Sequence, residues 1–335
     1  MVAQPRGAGI IGIGSFAPQK VLTNLDLEKI VDTTDEWILT RSGIRERHIV
    51  DDGVNTSDLA LEASKRALEC AGLPAEKLDL IICATITGDM PFPATSCLVQ
   101  DKLGATDVPA FDLQAGCSGW VYGLSTASQF VRTGTYDHVL VIGADILSRF
   151  TDWTDRSTCV LFGDAAGAVV IGPTTPGTGV LAASLGADGS GGELLRMDAG
   201  GSKLPTSEET VKNRQHYIRM EGREVFKFAV RIMGEASVQA LAMCGMTPAD
   251  IDLFIPHQAN IRIIDAAVNR LGLPEDKVFI NVQNYGNTSA ASIPLALDEA
   301  YRQGRIREGD IVVVVGFGAG LTWAASVLKW TLPPK

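Results

Sequence analysis

One cysteine in a glycine-rich turn is the side chain whose sequence context best suits chemistry. Cys117 follows the apolar strand pattern PAFDL and is flanked by Gly116 and Gly119, where the chain can turn sharply. From Trp120 to Val131 apolar residues recur at helical spacing. A helix N-terminus carries partial positive charge and free N–H groups, so it stabilises a thiolate or an oxyanion. We therefore predict that Cys117 is a nucleophile, whereas the other five cysteines fit the usual role of buried apolar groups.

Two further polar residues stand at similar junctions. His257 ends the strand pattern DLFIP and precedes a helix that begins near Asn260. A lone histidine is more often structural, but ligands of α/β proteins gather at the C-terminal ends of strands, so both roles stay open. Asn287 lies in YGNTSAAS, between a strand and the helical pattern of residues 293–297. Taken alone, Asn287 is best interpreted as a helix cap.

A weak internal repeat predicts that these residues meet. Residues 71–84 resemble 244–257, residues 108–117 resemble 278–287, and residues 138–144 resemble 311–317, at offsets of 173, 170 and 173. Coincidence explains any single match, but three in register favour a duplication. The repeat superimposes Cys117 on Asn287 and Ala84 on His257. Two similar halves packed about a pseudo-twofold axis would bring these turns to a shared centre.

The elements that must position the site have an α/β pattern. Strand-like segments at 78–84, 109–113, 139–142 and 168–171 are separated by helical stretches, which indicates buried sheet strands. We predict an N-terminal half, residues 1–175, with the nucleophile, and a C-terminal half, residues 176–335, with the histidine and asparagine. The uncharged run 311–328 holds four consecutive valines and three glycines, so it predicts a strand, a turn and a strand rather than a membrane span. Residues 186–207 predict a long surface loop.

Composition excludes several classes of protein. The chain has 335 residues, 46% hydrophobic and 20% charged, which is typical of a packed globular protein. Its formal charge of −10 argues against nucleic-acid binding. The N-terminus lacks the pattern of a signal peptide, so a cytoplasmic location and no membrane insertion are expected. The cysteines and histidines form no CxxC or HExxH pattern, which argues against a metal site. GxGxxG at Gly7, Gly9 and Gly12 is not preceded by a strand and is rejected as a dinucleotide loop.

Over essentially its whole length the chain resembles the 3-oxoacyl-[acyl-carrier-protein] synthase III family, the initiating condensing enzymes of type II fatty-acid synthesis. The stretches that carry the resemblance are VDTTDEWILTRSGIRERHI (31–49), DLQAGCSGW (112–120), DRSTCVLFGDAAGAVV (155–170), PHQANIRII (256–264), YGNTSAASIPLALDEA (285–300) and GFGAGLTW (316–323). The resemblance implies the thiolase fold, in which two duplicated α/β halves form five layers, α-β-α-β-α.

The resemblance also implies a reaction. Cys117 takes an acyl group from acyl-CoA, typically acetyl-CoA, as a thioester, and malonyl-[acyl-carrier protein] then loses CO2 and attacks it to give a 3-oxoacyl chain. His257 and Asn287 would donate hydrogen bonds to the malonyl thioester oxygen, where enolate charge accumulates. The N–H groups of Cys117 and Ala319 would form a second oxyanion hole. Many relatives have glycine where this chain has Ala319, which narrows the allowed backbone angles. Acyl-CoA is a substrate, and no cofactor is implied.

The binding residues likewise follow from the resemblance. Trp37 and Arg156 would hold the adenine of coenzyme A, Arg41 its phosphates and Asn260 its pantetheine; without the resemblance, Trp37 would be a partly exposed core aromatic and Arg41 a surface cation. The acyl pocket would be formed by Phe92, Leu147 and Phe162. Since the matching phenylalanine comes from the neighbouring subunit, the resemblance implies a homodimer.

The carrier protein would bind a basic surface near the site entrance. Residues 211–231 hold six cations against two anions, and Arg223, Lys227 and Arg231 recur every four residues on a predicted helix. A charge run is usually a solvated face. The resemblance places Lys227 with Arg262 and Arg270 beside the entrance, so these residues and Arg223 are the predicted carrier contacts.

Single residues distinguish this chain from several enzymes with related activities. A 3-hydroxy-3-methylglutaryl-CoA synthase needs a Glu in the segment that matches 84–86, where this chain has none. Thiolases have a second Cys, and elongating synthases a second His, where Asn287 stands. Starter-unit ketosynthases of polyketide assembly share all three residues and stay open, as do other acyl-CoA condensing enzymes. A non-catalytic homologue is the alternative from another class. The preferred primer depends on the shape of the pocket, which the sequence does not determine.

Overall fold

Strands and helices alternate along the chain. The computed structural model describes residues 6–334. Its strands are Gly7–Phe16 (β1), Val21–Thr23 (β2), Glu46–His48 (β3), Leu80–Ala84 (β4), Ala110–Leu113 (β5), Val139–Ile146 (β6), Asp164–Thr174 (β7), Gly179–Ala187 (β8), Leu195–Met197 (β9), Ile218–Met220 (β10), Leu253–Pro256 (β11), Ile311–Gly318 (β12) and Thr322–Lys329 (β13). Its α-helices are Asn24–Leu27 (α1), Asp35–Ser42 (α2), Thr56–Ala71 (α3), Thr95–Leu103 (α4), Gly119–Thr133 (α5), Glu208–Lys212 (α6), Gly222–Met243 (α7), Ile261–Leu271 (α8), Val282–Tyr285 (α9) and Ser292–Arg302 (α10).

The sheet repeats one strand order in its two halves. Nine strands follow each other as β11-β12-β13-β8-β1-β7-β6-β4-β5, and β8 and β1 join through the single pair Ala8 and Gly179. In the first half β1 lies next to β7, followed by β6, β4 and β5. In the second half β8 lies next to β13, followed by β12 and β11, and Val278 adds an isolated bridge to Phe254 of β11. The matching order confirms the predicted duplication.

The two halves and their helices form five layers. Helices α5 and α10 lie between the halves of the sheet, since α5 contacts β6 and β4 as well as β13 and β8, and α10 contacts β7 as well as β11. Helix α3 covers the outer face of the first half, and α7 packs on β13, β12 and β8 and against α8. Along β4, Ile82 faces α5 whereas Ile81 and Cys83 face α3. Both faces of β4 are therefore buried, which explains why this strand is apolar throughout.

Most predicted elements form where the sequence placed them. The four predicted strands are β4, β5, β6 and β7, and residues 311–328 fold into the antiparallel pair β12 and β13. None of the helices within residues 6–334 is long and apolar enough to cross a membrane. The glycines of the rejected dinucleotide motif lie within β1, where Gly12 packs tightly on Ala67 and Ala71 of α3.

Two predictions are wrong in detail. Residues 186–207 are not one long loop, because they contain the end of β8, a 3-10 turn at Gly189–Leu194 and β9, which pairs with β10. A three-residue strand among glycines is too short to show a hydrophobic pattern. The strand predicted before Asn287 is only the bridge at Val278, and α9 follows it. The division after residue 175 falls between β7 and β8; that each half is a domain stays a prediction.

Candidate active site

Cys117 lies in a buried 3-10 turn between β5 and α5. The turn spans Gly116–Ser118, and Gly116 adopts a left-handed φ of 54°. Ser118 Oγ donates to Ala115 O at 2.8 Å, and Thr322 Oγ1 of β13 donates to the same carbonyl at 2.7 Å. The second half of the chain thus anchors the turn that carries Cys117, as the pseudo-symmetry predicts.

The glycine-rich end of β12 packs against this turn. A Cβ on Gly116 would lie 2.7 Å from the Ala319 backbone nitrogen, and a Cβ on Gly318 would overlap the Cys117 nitrogen. The absence of these side chains lets the two segments approach, so the backbone nitrogens of Cys117 and Ala319 lie close together. Two such N–H groups can stabilise an oxyanion formed at the Cys117 thioester.

His257 directly follows β11 and is almost completely buried. Its backbone N–H donates to Val315 O of β12 at 2.7 Å. The ring packs edge-on against Phe317, with centroids 5.5 Å apart, and Nδ1 lies 2.5 Å from Ser292 Oγ. Burial lowers the pKa of the imidazole to about 3. The ring is therefore neutral at physiological pH, which suits a hydrogen-bond donor to an enolate rather than a charged acid.

Asn287 caps only the short 3-10 turn before α10 and not the helix itself, whose N-cap residue is Ala291, so the predicted helix cap is wrong in detail. Its Oδ1 accepts the N–H of Ser289 at 2.9 Å, at the start of the 3-10 turn Ser289–Ala291 that precedes α10. Its backbone N–H donates to Leu161 O at 2.8 Å. Within residues 6–334 the side-chain Nδ2 donates no hydrogen bond. The cap fixes the amide and leaves its N–H2 group for a ligand, so the structural and the functional role are compatible.

The three predicted catalytic residues therefore meet at one place. The 3-10 turn that follows Asn287 packs on the turn of Cys117. The glycine-rich end of β12 also touches the Cys117 turn, and its Phe317 contacts the ring of His257. Three segments that are far apart in the sequence thus form one site between the two halves.

Burial keeps the Cys117 thiol protonated. It raises the pKa of the thiol to about 12, and the charge of Asp145 adds to this shift. The Ser289 hydroxyl opposes this rise in the pKa. The hydroxyl lies near both the thiol and the Asp145 carboxyl, without a hydrogen bond of regular geometry to either. The expected thiolate at the start of α5 is thus not the resting form, because desolvation of the sulfur exceeds the stabilisation by its surroundings.

Asp145 is a site residue that the sequence analysis missed. It lies near the end of β6 and is fully buried. Its Oδ1 accepts hydrogen bonds from Thr85 Oγ1, Ile86 N and Thr87 Oγ1 at 2.8 to 3.1 Å, and its Oδ2 accepts from Ala290 N at 3.2 Å. Burial raises the pKa of this carboxyl. Asp145 thus ties the loop after β4 to the Asn287 turn, and a lone acid inside the apolar run VLVIGADI was the available signal.

An apolar cavity of about 390 Å³ opens beside Cys117. Leu147 and Phe162 line it, as predicted, whereas Phe92 is 84% exposed and does not line it within its own chain. The remaining lining residues are Ile86, Thr87, Gln114, Phe150, Leu195, Arg196, Met197, Ala199, Gly200, Gly201, Ile218, Ser289 and Ala319. None of them is a carboxylate. Six of them come from residues 195–201, and no local sequence pattern predicts that this segment reaches the cavity.

The four predicted coenzyme A residues also form one cluster. The Arg156 and Arg41 guanidinium carbons lie 4.8 and 5.8 Å from the centroid of Trp37. Asn260 Nδ2 donates to Arg41 O at 2.9 Å, and Asn260 Oδ1 caps α8 through the N–H of Arg262. A flat aromatic ring with two cations close to it fits an adenine with phosphates. Asn260 also has a structural task, since it joins α8 to α2.

The predicted carrier surface is only partly free of acidic partners. Lys227 pairs with Glu224 at 2.7 Å, and Arg270 pairs with Glu235 at 3.1 Å. The Arg262 guanidinium lies 5.3 Å from the ring centroid of Phe226, and Arg223 is exposed near the start of α7. The cations do lie on α7 and α8, but two of the four predicted contacts are paired with acids, so the surface is not uniformly positive.

Comparisons with known proteins match the chain to one family. The family described as 3-oxoacyl-[acyl-carrier-protein (ACP)] synthase III matches residues 111–189, and its C-terminal counterpart matches residues 241–330. The beta-ketoacyl-[acyl-carrier-protein] synthase III of Caldanaerobacter subterraneus subsp. tengcongensis is 61% identical, covering 97% of this chain and 98% of the relative. That of Geobacillus kaustophilus is 55% identical, covering 97% and 99%.

Solved structures extend the likeness to the fold. The 3-oxoacyl-[acyl-carrier-protein] synthase III of Aquifex aeolicus is 49% identical, with a TM-score of 0.90 and coverage of 97% of this chain and 100% of that chain. The priming beta-ketosynthase of the R1128 polyketide biosynthetic pathway is 37% identical, with a TM-score of 0.91 and coverage of 100% and 99%. With matches of this extent in sequence and structure, the chain belongs to the 3-oxoacyl-[acyl-carrier-protein] synthase III family and has its thiolase fold.

Proposed function

We propose that this protein catalyses the decarboxylative condensation of an acyl-CoA, typically acetyl-CoA, with malonyl-[acyl-carrier protein] to start fatty-acid synthesis. The observation that carries the proposal is the position of Cys117: its turn meets the Ala319 nitrogen, the Asn287 turn and the segment that packs on His257, next to an apolar cavity. Membership of the family supports the reaction class, and this geometry supports the proposed roles of the residues.

In the first half-reaction Cys117 accepts the acyl group. The sulfur attacks the thioester carbonyl of acyl-CoA and loses its proton, and the N–H groups of Cys117 and Ala319 stabilise the oxyanion that forms. The intermediate collapses to the acyl-cysteine thioester, and the CoA sulfur leaves and takes up a proton. Because burial raises the pKa of the thiol to about 12, the resting thiol is protonated and has to lose its proton in the course of acyl transfer.

In the second half-reaction the malonyl group supplies the carbon nucleophile. Loss of CO2 leaves an enolate whose oxygen charge is stabilised by hydrogen bonds from His257 Nε2 and Asn287 Nδ2. The enolate carbon attacks the acyl-cysteine carbonyl, and the thiolate leaves and regains a proton. Since decarboxylation generates the carbanion, the site needs no base to remove a proton from carbon. The cavity accordingly contains no lining carboxylate.

The reaction needs no cofactor, because the Cys117 sulfur supplies the electron pair for acyl transfer and the broken C–CO2 bond supplies the pair for the new C–C bond. Within residues 6–334 no group of three or more His, Cys, Asp and Glu is arranged to hold a metal ion. For coenzyme A we assign the cluster of Trp37, Arg41, Arg156 and Asn260. For the carrier protein we assign Arg223, Lys227, Arg262 and Arg270. The cytoplasmic location expected from the sequence suits this role and stays a prediction.

The functional unit proposed is a homodimer. Strand β5 forms one edge of the sheet, and Phe111 on it is 38% exposed. Met90 and Phe92 are also exposed, and a free strand edge beside apolar side chains favours pairing with another chain. A partner would place its Phe92 at the acyl pocket. Sedimentation equilibrium tests this: Phe111→Asp should convert dimer to monomer, and a wild type that sediments as a monomer would contradict the proposal.

The half-reactions test the function directly. Radiolabelled acetyl-CoA should transfer its label to the wild type and not to Cys117→Ala. His257→Ala should still take up label, whereas its release of 14CO2 from carboxyl-labelled malonyl-[acyl-carrier protein] should fall on the order of 100-fold. Failure of the wild type to retain any label would refute the assignment of Cys117. Equal loss of both half-reactions in His257→Ala would refute the division of roles.

A starter-unit ketosynthase is the second candidate function. It is favoured by the match to the priming ketosynthase of a polyketide pathway over the full chain. Both enzymes would use the same three residues, so the discriminating measurement is the carrier protein. A fatty-acid enzyme should show higher kcat/KM with the fatty-acid carrier than with a polyketide carrier; the reverse preference would favour the starter-unit function. The same assay across acetyl, isobutyryl, butyryl and longer acyl-CoA primers measures what the cavity admits.

A further inference from the structure

A serine hydroxyl faces the inner nitrogen of the His257 ring. Ser292 is the first residue of α10 and is almost fully buried, and its Oγ lies 2.5 Å from Nδ1. Within residues 6–334 this is the only hydrogen bond that the ring makes. The ring also packs edge-on against Phe317, which offers no polar atom. The hydrogen of Ser292 therefore decides which ring nitrogen carries the proton.

The contacts of Ser292 Oγ indicate where that hydrogen points. A neutral imidazole has one N–H, on Nδ1 or on Nε2. If Nδ1 carried it, the serine hydrogen would need another acceptor. Among the described residues the only other partner of Oγ is the backbone N–H of Gln258, at 3.4 Å, which is itself a donor. The acceptor available to the hydroxyl is thus Nδ1, and the ring N–H is left on Nε2.

We propose that Ser292 is a positioning residue that holds His257 in its Nε2–H tautomer, so that the ring donates to the enolate oxygen. The inference rests on the donor role proposed above for His257. The opposite tautomer would direct a lone pair of Nε2 at a developing negative charge and would repel it. Burial, which keeps the ring neutral, leaves only one ring hydrogen to be placed. The hydroxyl at 2.5 Å places it without any charged partner.

The tautomer can be observed without any substrate. Protein labelled with 15N-histidine gives nitrogen shifts that distinguish a protonated from an unprotonated ring nitrogen. The chain has four histidines, and the spectrum of His257→Ala identifies the signals of His257. The wild type should show a protonated Nε2 and an unprotonated Nδ1. A protonated Nδ1 would overturn the proposal. This result does not depend on the condensing activity, so failure of the proposed function is distinguishable from failure of this inference.

Variants connect the tautomer to the rate. Ser292→Ala should lower the rate of condensation about 10- to 100-fold, less than the 100- to 1000-fold typical of losing an oxyanion donor outright. Acyl transfer to Cys117 should change less than about twofold, because it does not use this donor. Ser292→Thr keeps the hydroxyl and should restore most of the rate and the Nε2–H signal.

Ser237→Ala is the matched control. Ser237 is also fully buried, on α7, and among the described residues its Oγ donates only to Met233 O, at 2.7 Å. This variant makes the same change in side chain without touching the ring. Equal losses of condensation in Ser237→Ala and Ser292→Ala would show a merely structural effect and refute the proposal. An unchanged tautomer in Ser292→Ala would also refute it, and if that variant does not fold, the spectrum of the wild type still decides.

Discussion

Replacing Gly116 by alanine should damage the oxyanion hole more than it damages the fold. The residue has a left-handed φ of 54°, which costs an alanine about 1 to 2 kcal/mol. The new Cβ would also lie 2.7 Å from the nitrogen and 3.0 Å from the oxygen of Ala319, both backbone atoms. Relief of such a clash in a packed interior typically costs about 1 to 3 kcal/mol. The two segments must move apart, so the Ala319 N–H moves away from the thioester carbonyl of the acyl group on Cys117.

Gly72→Ala provides the control, since Gly72 has a φ of 61° and open space where a Cβ would lie. It shares the strain and lacks the clash. In urea unfolding at equal protein concentration, Gly116→Ala should lower the free energy of unfolding by about 1 to 3 kcal/mol more than Gly72→Ala does. Its rate of acylation by radiolabelled acetyl-CoA should fall on the order of 100-fold, the effect of losing one oxyanion donor. Equal stability of the two variants, with an acylation rate within twofold of the wild type, would show this reasoning to be wrong.

Further predictions concern pH and binding. Because the pKa of Cys117 is raised to about 12, its alkylation by iodoacetamide should still increase up to pH 10, and a plateau near pH 7 would contradict this. The folded-state pKa of His257 lies below its ordinary value of 6.5, so its contribution to stability is full above pH 6.5 and declines as the pH falls toward 3. In acid titrations the free energy of unfolding of His257→Gln should therefore fall less steeply than that of the wild type. An identical slope would refute this. Trp37→Leu should raise the KM for acetyl-CoA and leave that for the malonyl carrier unchanged. Arg223→Glu combined with Lys227→Glu should do the reverse, and equal effects on both substrates would contradict a separate carrier surface.

The sequence was sufficient for elements whose pattern is local. Strands β4 and β11 were predicted where they form, because burial of both sheet faces leaves an uninterrupted apolar run along each of them. The turns that carry Cys117 and His257 were also predicted at strand ends. The repeat also predicted that three distant turns converge, because equal halves packed about an axis place equal points at the centre. It failed at residues 186–207, where glycines obscure a three-residue strand that lines the cavity.

Residue types and spacing thus determined which side chains can do the chemistry, while only the tertiary structure decided their chemical state. The protonated thiol of Cys117 and the neutral ring of His257 result from burial by both halves of the chain, which no local pattern encodes. The contact of Ser292 with that ring spans 35 residues, and the bond of Asp145 to Ala290 spans 145. Charge, tautomer and pocket shape depend on distances between such remote residues, and these are fixed only when the layers pack.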